Sequence, residues 1–156
     1  MTGLWALLGA LAVTVLVAVL LRRREGRIRP GRAGGPGGGA ARTGDTAPGD
    51  ALPDAVRALL HPEQGPAPVT LVQVTTSYCT SCRPARAVLT ELSSRTEGLR
   101  HVELDVTDTP EVAARLGVLR APTTLAYDPR GTELLRVGGV PKPDTLLTAL
   151  RPYLPA

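Results

Sequence analysis

The stretch Tyr78-Cys79-Thr80-Ser81-Cys82-Arg83 contains both cysteines of the 156-residue chain, separated by two residues. A mainly apolar run over residues 69–74 precedes it and is typical of a buried strand. Apolar residues at helical spacing follow it, at Ala85, Val88, Leu89 and Leu92. A Cys-x-x-Cys pair between a strand and a helix is typical of thiol–disulfide exchange.

The spacing of Cys79 and Cys82 suits a reversible disulfide. Side chains three residues apart on a helix lie about 5–6 Å apart, within the span of a disulfide. We expect Cys79 at the helix start, where free N–H groups and the helix dipole stabilise a thiolate, the attacking species. Cys82, one turn further on, would be the resolving thiol. A bridge that closes so short a loop adds little stability, which favours a redox pair over a structural bridge.

Residues 3–21 contain no charged side chain. A helix of that length spans about 28 Å, close to the hydrocarbon thickness of a bilayer. Two residues precede the segment and arginines follow it, which favours an uncleaved transmembrane helix over a signal peptide. Five arginines lie between residues 22 and 29. Because basic flanks stay in the cytoplasm, we predict a single-pass protein of the cell membrane with its C-terminal part on the cytoplasmic side.

We assign residues 22–50 to a basic juxtamembrane segment and a disordered linker that joins the membrane helix to a folded domain at residues 51–156. Residues 30–50 contain eight Gly and three Pro, too few apolar groups to form a core. The arginine cluster can also bind anionic lipid. Outside this cluster the charges nearly cancel, so we predict no nucleic-acid partner.

The patterns within residues 51–156 predict an α/β domain with a mixed central sheet and helices on both faces. The predicted elements are a short helix ending before Pro62, a strand at 69–76, a helix at 79–96, a strand at 101–106, a helix from Thr109 to Gly117, strands at 123–127 and 133–137, and a helix at 143–154. Pro84 lies inside the predicted 79–96 helix, where we expect it to remove a hydrogen bond.

The chain resembles the thioredoxins over residues 52–154. The strand–Cys79-Thr80-Ser81-Cys82–helix unit carries the resemblance, together with the segment Gly117-Val118-Leu119-Arg120-Ala121-Pro122-Thr123. The resemblance implies a thioredoxin-like fold and a cis Ala121-Pro122 bond whose backbone pairs with the substrate. It also implies a substrate-contacting loop at Gly138. Tyr78 stands where thioredoxins usually have tryptophan, and we expect it to pack around the Cys79 sulfur and to contact the substrate.

The chain departs from the thioredoxin pattern near the cysteines. Thr80-Ser81 replaces the usual Gly-Pro, and Gln73 replaces a buried aspartate that helps the resolving thiol to lose its proton. An amide cannot accept a proton at neutral pH. We therefore predict that Glu103, at the position of the family's partner lysine, aids proton transfer from Cys82. The alternative is that Glu103 only faces solvent at a strand end.

These observations predict a membrane-anchored thiol–disulfide oxidoreductase that reduces protein disulfides, with no cofactor beyond the Cys79–Cys82 disulfide. Its partners would be protein thiols and disulfides, the membrane through residues 3–21, and an electron donor that is a reductase or a thiol protein. High Ala, Gly, Arg and Pro usage suggests a bacterial source.

Three alternatives remain open from the sequence. A metal site is the weakest, since zinc usually takes four protein ligands and only His61 and His101 are available beside the cysteines. The second is a thioredoxin-fold binding module or redox sensor without turnover. The third is an extracytoplasmic reductase of the cytochrome-maturation type, which requires the opposite topology.

Overall fold

A computed structural model describes residues 10–19, 27–30, 52–63 and 65–155. Residues 10–19 are helical and are called α1. Within the described residues, no helix has both the length and the hydropathy needed to cross a membrane. The remainder of the predicted transmembrane segment 3–21, and most of the predicted segment 22–50, lie outside the described residues.

The remaining elements alternate along the chain as the sequence predicts for an α/β domain. They are β1 (Arg27–Pro30), α2 (Asp54–Leu60), β2 (Val69–Thr75), α3 (Cys82–Arg95), β3 (Leu99–Asp105), α4 (Pro110–Leu116), β4 (Thr123–Tyr127), β5 (Glu133–Gly138), α5 (Pro143–Leu150) and a 3-10 turn, Arg151–Tyr153. The strands form one sheet in the order β1-β5-β4-β2-β3. β2 and β3 are parallel, and the other pairs are antiparallel. The predicted mixed sheet flanked by helices is confirmed.

Helices cover both faces of the sheet, and each face has its own apolar core. On one face, residues of α2 and α4 pack on alternate residues of the central strands, with Leu125 and Tyr127 of β4 fully buried. On the other face, residues of α3 and α5 pack on Leu71 and Ala126. All seven residues of β2 are buried because helices lie on both sides of it. Truncating a buried leucine such as Leu71 to alanine would cost about 2–5 kcal/mol.

Strand β1 extends the sheet beyond the predicted domain boundary at residue 51. It pairs antiparallel with β5, with Arg29 opposite Arg136. Ile28 packs against the core formed by α3 and α5. The sequence prediction placed these four residues outside the domain because the arginines follow the uncharged segment and because residues 30–50 are rich in Gly and Pro. An edge strand tolerates both, since one side of its backbone has no neighbouring strand to bond.

Candidate active site

The two cysteines form a disulfide between the end of β2 and the start of α3. Their S–S distance is 2.05 Å and their Cα atoms are 5.4 Å apart. The Cys79 N–H donates to the Thr76 carbonyl at 3.1 Å, and the Cys82 N–H donates to the Cys79 carbonyl at 3.2 Å. Cys82 is only 3 % exposed, whereas Cys79 is partly exposed. An external disulfide therefore reaches Cys79 more easily than Cys82.

Helix α3 begins at Cys82 rather than at residue 79 as predicted. Cys79 lies in the turn before the helix, and Ser81 occupies the N-cap position without a side-chain capping bond. The later start changes the effect predicted for Pro84. Pro84 is the third helical residue, and residues of the first turn have no helical partner for their N–H groups. The predicted loss of a hydrogen bond therefore does not occur.

The loop that precedes Cys79 is tied to the end of β3. The Ser77 N–H donates to the Thr107 Oγ1 at 2.8 Å. Thr107 in turn donates from its Oγ1 and its N–H to the Asp105 carboxylate, at 2.5 and 2.8 Å. These two bonds lower the pKa of Asp105, and the side-chain bond has the larger effect. The bonds fix the backbone from which Tyr78 and Cys79 project.

The segment 117–123 lies beside the active-site turn and contains a cis Ala121–Pro122 peptide bond, as the resemblance implies. The Gly139 N–H donates to the Pro122 carbonyl at 2.8 Å. Thr123 pairs with Gly138 across β4 and β5. The predicted substrate-binding residues Ala121, Pro122 and Gly138 therefore lie together at one end of the sheet.

Tyr78 and Ala121 line a mostly apolar cleft of about 340 Å³. The segment 118–120 and residues of α4 form its other wall. Tyr78 is 89 % exposed and Leu119 is 97 % exposed. The Tyr78 ring is thus free to contact a partner, and its packing around the Cys79 sulfur stays a prediction.

Gln73 lies under the disulfide and is fully buried. Its Nε2 donates to the Cys82 carbonyl at 3.0 Å. Its Oε1 lies 3.2 Å from His101 Nε2, and His101 Nδ1 lies 3.3 Å from Thr90 Oγ1. Because the Gln73 oxygen only accepts, His101 Nε2 must carry hydrogen and donate. A hydrogen-bonded chain therefore connects the Cys82 backbone to α3 through β2 and β3.

Sequence reasoning considered His101 only as a possible metal ligand or an ordinary boundary residue, and did not place it in this hydrogen-bonded network. Burial is the largest effect on its pKa and lowers it; the Glu103 carboxylate raises it, and the Arg86 guanidinium lowers it. A neutral imidazole suits the donor and acceptor roles that Gln73 and Thr90 require. The signal available in the sequence is the two-residue spacing of His101 and Glu103 in one predicted strand, which places both side chains on the same face of the sheet. The pairing of β3 with β2 then brings Gln73 to that face as well.

Glu103 forms a two-point ion pair with Arg86 of α3. Its Oε1 lies 2.5 Å from Arg86 Nε, and its Oε2 lies 2.5 Å from Arg86 Nη2. The pair holds Glu103 against the helix that carries Cys82, so the carboxylate is not simply facing solvent. Within the described residues its hydrogen bonds go to Arg86 and none goes to Cys82. A role for Glu103 in proton transfer from Cys82 stays a prediction.

Among the described residues, no group of three or more His, Cys, Asp or Glu side chains is arranged to hold a metal ion. His61 caps the C-terminus of α2, whereas His101 is hydrogen-bonded within the sheet face under the disulfide. The two histidines therefore belong to different parts of the fold.

The chain matches the family model described as Thioredoxin over residues 63–151, more than half of its length. No curated protein matches it. Among solved structures, thioredoxin f2 of Chlamydomonas reinhardtii is 23% identical with a TM-score of 0.54, covering 66% of this chain and 93% of that one. A mutant thioredoxin from Halobacterium salinarum is 22% identical with a TM-score of 0.52, covering 58% and 78%.

Thioredoxin NaTrxh from Nicotiana alata is 26% identical with a TM-score of 0.49, covering 56% of this chain and 74% of that one. The two structures with TM-scores above 0.5 share the fold of this chain. The match to the family model over more than half of the sequence shows that the chain belongs to the thioredoxin family.

Proposed function

We propose that this protein is a membrane-anchored thiol–disulfide oxidoreductase that reduces protein disulfides. The observation that carries the proposal is the Cys79–Cys82 disulfide itself. It joins a partly exposed cysteine to a buried one, at the junction of β2 and α3. Membership of the thioredoxin family together with this Cys-x-x-Cys pair supports dithiol–disulfide exchange at the general level.

The two thiols have different tasks in the proposed reaction. The Cys79 thiolate attacks one sulfur of a substrate disulfide, so that a Cys79–substrate bond forms while the substrate S–S bond breaks and one substrate thiolate leaves. Cys82 then loses its proton and attacks the Cys79 sulfur, which releases the second substrate thiolate and forms the Cys79–Cys82 bond. The substrate gains two electrons and two protons, and an external dithiol returns them to the enzyme.

Residue Ala121 is suited to hold the substrate backbone. In the described part of the chain, its N–H and C=O make no hydrogen bond, whereas the neighbouring Pro122 carbonyl is already bonded to Gly139. Ala121 also lines the cleft that Tyr78 borders. We infer that an extended substrate segment pairs with Ala121 while its disulfide faces Cys79.

The membrane part of the proposal rests on the uncharged segment 3–21 and the arginines that follow it. These features favour a cytoplasmic domain, and a cytoplasmic compartment that keeps thiols reduced favours the reducing direction. Since β1 belongs to the sheet, residues 31–50 connect two elements of the domain. Residues 22–26 alone then separate the proposed membrane helix from the domain, which would hold the domain close to the bilayer.

The proposal is tested with the full chain in detergent, reduced by dithiothreitol, with insulin as the disulfide substrate. We expect wild-type turnover well above the rate of dithiothreitol alone, and loss of this acceleration in Cys79→Ser. Arg130→Gln, in the turn at the opposite end of the β4–β5 hairpin, is the matched control and should keep the wild-type rate. A wild-type chain that does not accelerate the reaction would favour a binding module without turnover.

A further inference from the structure

We propose that Arg29 and Arg120 form a subsite for a carboxylate of the substrate protein, close to the disulfide that the enzyme reduces. This inference rests on the proposed function and specifies its substrate class, since it predicts a preference for acidic segments around the reactive cysteine.

A second cleft, of about 530 Å³, lies beside the segment that carries Pro122. It is lined by residues of β1, of segment 117–120 and of the adjoining ends of β4 and β5, including Arg29, Arg120 and Arg136. β1 brings Arg29 to this place, because its pairing with β5 sets Arg29 opposite Arg136 on the same face of the sheet. The added edge strand thus supplies one of the three arginines.

Arg136 has its charge balanced inside the protein. Its Nε and Nη2 donate to the two oxygens of Glu133 at 2.6 and 2.7 Å. Its Nη1 and Nη2 donate to the carbonyls of Gly117 and Leu116 at 3.2 and 3.1 Å, at the end of α4. The hydrogen bonds that Arg136 donates to Glu133 are the largest effect on its pKa and raise it. Arg136 therefore holds the fold together at this cleft and is not available to a ligand.

Arg29 and Arg120 are different, because both are exposed and neither has an acidic partner among the described residues. Arg120 lies across Gly138: a Cβ on Gly138 would come within 2.9 Å of Arg120 Nη2. This contact places the Arg120 guanidinium against the predicted substrate-contacting loop. Because Arg29 and Arg120 line the same cleft without an acidic partner among the described residues, a bound carboxylate would supply the balancing negative charge.

The position of the cleft favours a docked protein over another source of negative charge. Val118, Leu119 and Arg120 line both the basic cleft and the apolar cleft that contains Tyr78 and Ala121. A partner seated against Tyr78 and Ala121, with its disulfide at Cys79, therefore also covers Arg120. The guanidinium geometry suits two-point bonding to a carboxylate, which a lysine would not provide.

The test compares two disulfide-linked peptides that differ only in having Glu or Gln at the positions flanking the cysteines. With the full wild-type chain at low salt, we expect kcat/KM about five-fold higher for the Glu peptide, the effect of roughly one exposed charge pair. Arg29→Gln and Arg120→Gln should each reduce the preference, and the double variant should remove it. Arg130→Gln is the matched control and should retain it. Thermal unfolding should be unchanged in all variants.

Equal rates for the two peptides in the wild-type chain would overturn the subsite while leaving the proposed function intact. If neither peptide is reduced, the proposed function fails. The subsite is then judged by equilibrium binding of Glu and Gln peptides whose cysteines are replaced by serine, where equal affinities overturn it. The subsite is also overturned if the double variant keeps the peptide preference but loses binding to vesicles containing phosphatidylglycerol, which would assign these arginines to the membrane surface.

Discussion

The two sides of the disulfide differ in how their polar groups are satisfied. The inner network, formed by Gln73, His101 and Thr90, lies under Cys82 and bonds its members to one another and to the Cys82 carbonyl. Next to it, Glu103 and Arg86 neutralise each other. A buried polar group without a partner costs about 1–3 kcal/mol, and these bonds avoid that cost for the Gln73 amide. Thr124 Oγ1, on the strand next to Gln73, is buried without a hydrogen-bond partner among the described residues.

The outer surface, formed by Tyr78, Leu119, Arg29 and Arg120, lines the two adjoining clefts that begin at Tyr78, the residue before Cys79. Its two apolar side chains are almost fully exposed, and its two arginines have no acidic partner in the described part of the chain. Exposed aromatic, aliphatic and arginine side chains on adjoining clefts are typical of a protein-binding surface. The contrast indicates that the inner side sets the environment of the thiols, whereas the outer side selects the partner.

The largest effect should come from removing one of the two thiols. Cys82→Ser leaves Cys79 able to attack but removes the group that resolves the mixed disulfide. We expect turnover to fall by at least on the order of 10³-fold, and a covalent Cys79–substrate adduct to accumulate. Mass spectrometry of the full chain after mixing with a disulfide peptide measures the adduct. An adduct of similar yield in Cys79→Ser would contradict the assignment of the exposed cysteine as the attacking group.

Breaking the inner network should affect stability. Gln73→Leu removes the donor to the Cys82 carbonyl and the acceptor for the half-buried His101 ring. We expect a loss of about 1–3 kcal/mol in the free energy of unfolding, measured by urea denaturation of the full chain. Gln73→Glu is a useful comparison because it retains the acceptor for His101. A Gln73→Leu variant as stable as wild type would show that the inner network contributes nothing to the fold.

Altering the outer surface should reduce activity toward protein substrates and leave the stability of the fold almost unchanged. Tyr78→Ala removes an 89 % exposed ring, so the free energy of unfolding should change by less than about 0.5 kcal/mol. Because the ring is free to contact a partner, we expect kcat/KM for a protein disulfide to fall about five-fold. The rate with a small aromatic disulfide reagent should change much less. If the ring only supports the fold, Tyr78→Ala will lower the free energy of unfolding and will reduce the rates with the protein disulfide and with the small reagent to the same extent.

The smallest effect should be a pH dependence from the inner network. The pKa of His101 is lowered in the folded protein, so the unfolded chain binds a proton first as the pH falls. Stability contributed by the neutral histidine is therefore complete above the ordinary histidine pKa of about 6.5 and decreases as the pH falls from there toward the lowered folded pKa.

Urea titrations of the full chain at pH 7.5 and pH 5 should show this decrease in wild type and less of it in His101→Gln. His61→Gln is the control, and it should behave as wild type. Identical pH profiles for wild type and His101→Gln would exclude this role.

The elements that position the active site were predictable because their signals are local. The apolar run of β2, the turn at Asp128 to Gly131, and the Pro110 and Gly117 boundaries of α4 each depend on neighbouring residues alone. The start of α3 was misplaced for a related reason. Thr80 and Ser81 are both residue types common at an N-cap, so residue type alone does not mark where the helix begins.

The groups around the disulfide were less predictable because they meet through the fold. His101 reaches Gln73 only once β3 lies parallel to β2, and Arg86 reaches Glu103 only once α3 packs on that face. Arg29 reaches its cleft only because β1 pairs with β5, and a four-residue strand is too short for its sequence pattern to predict that pairing. Sequence reasoning therefore located the reactive cysteines and, through the resemblance, several residues beside them. It did not identify the contacts of His101 and Arg86 or the placement of Arg29.

The central claim is that the Cys79–Cys82 pair cycles between disulfide and dithiol and gives electrons to substrates. The most direct test is the reduction potential of the pair in the full chain, measured by equilibration with dithiothreitol or glutathione buffers and thiol alkylation. We predict reversible cycling at about −270 mV, in the range of thioredoxins that act as reductants. A value of about −120 to −180 mV would indicate an oxidase or isomerase, and a pair that does not cycle reversibly would contradict the claim altogether.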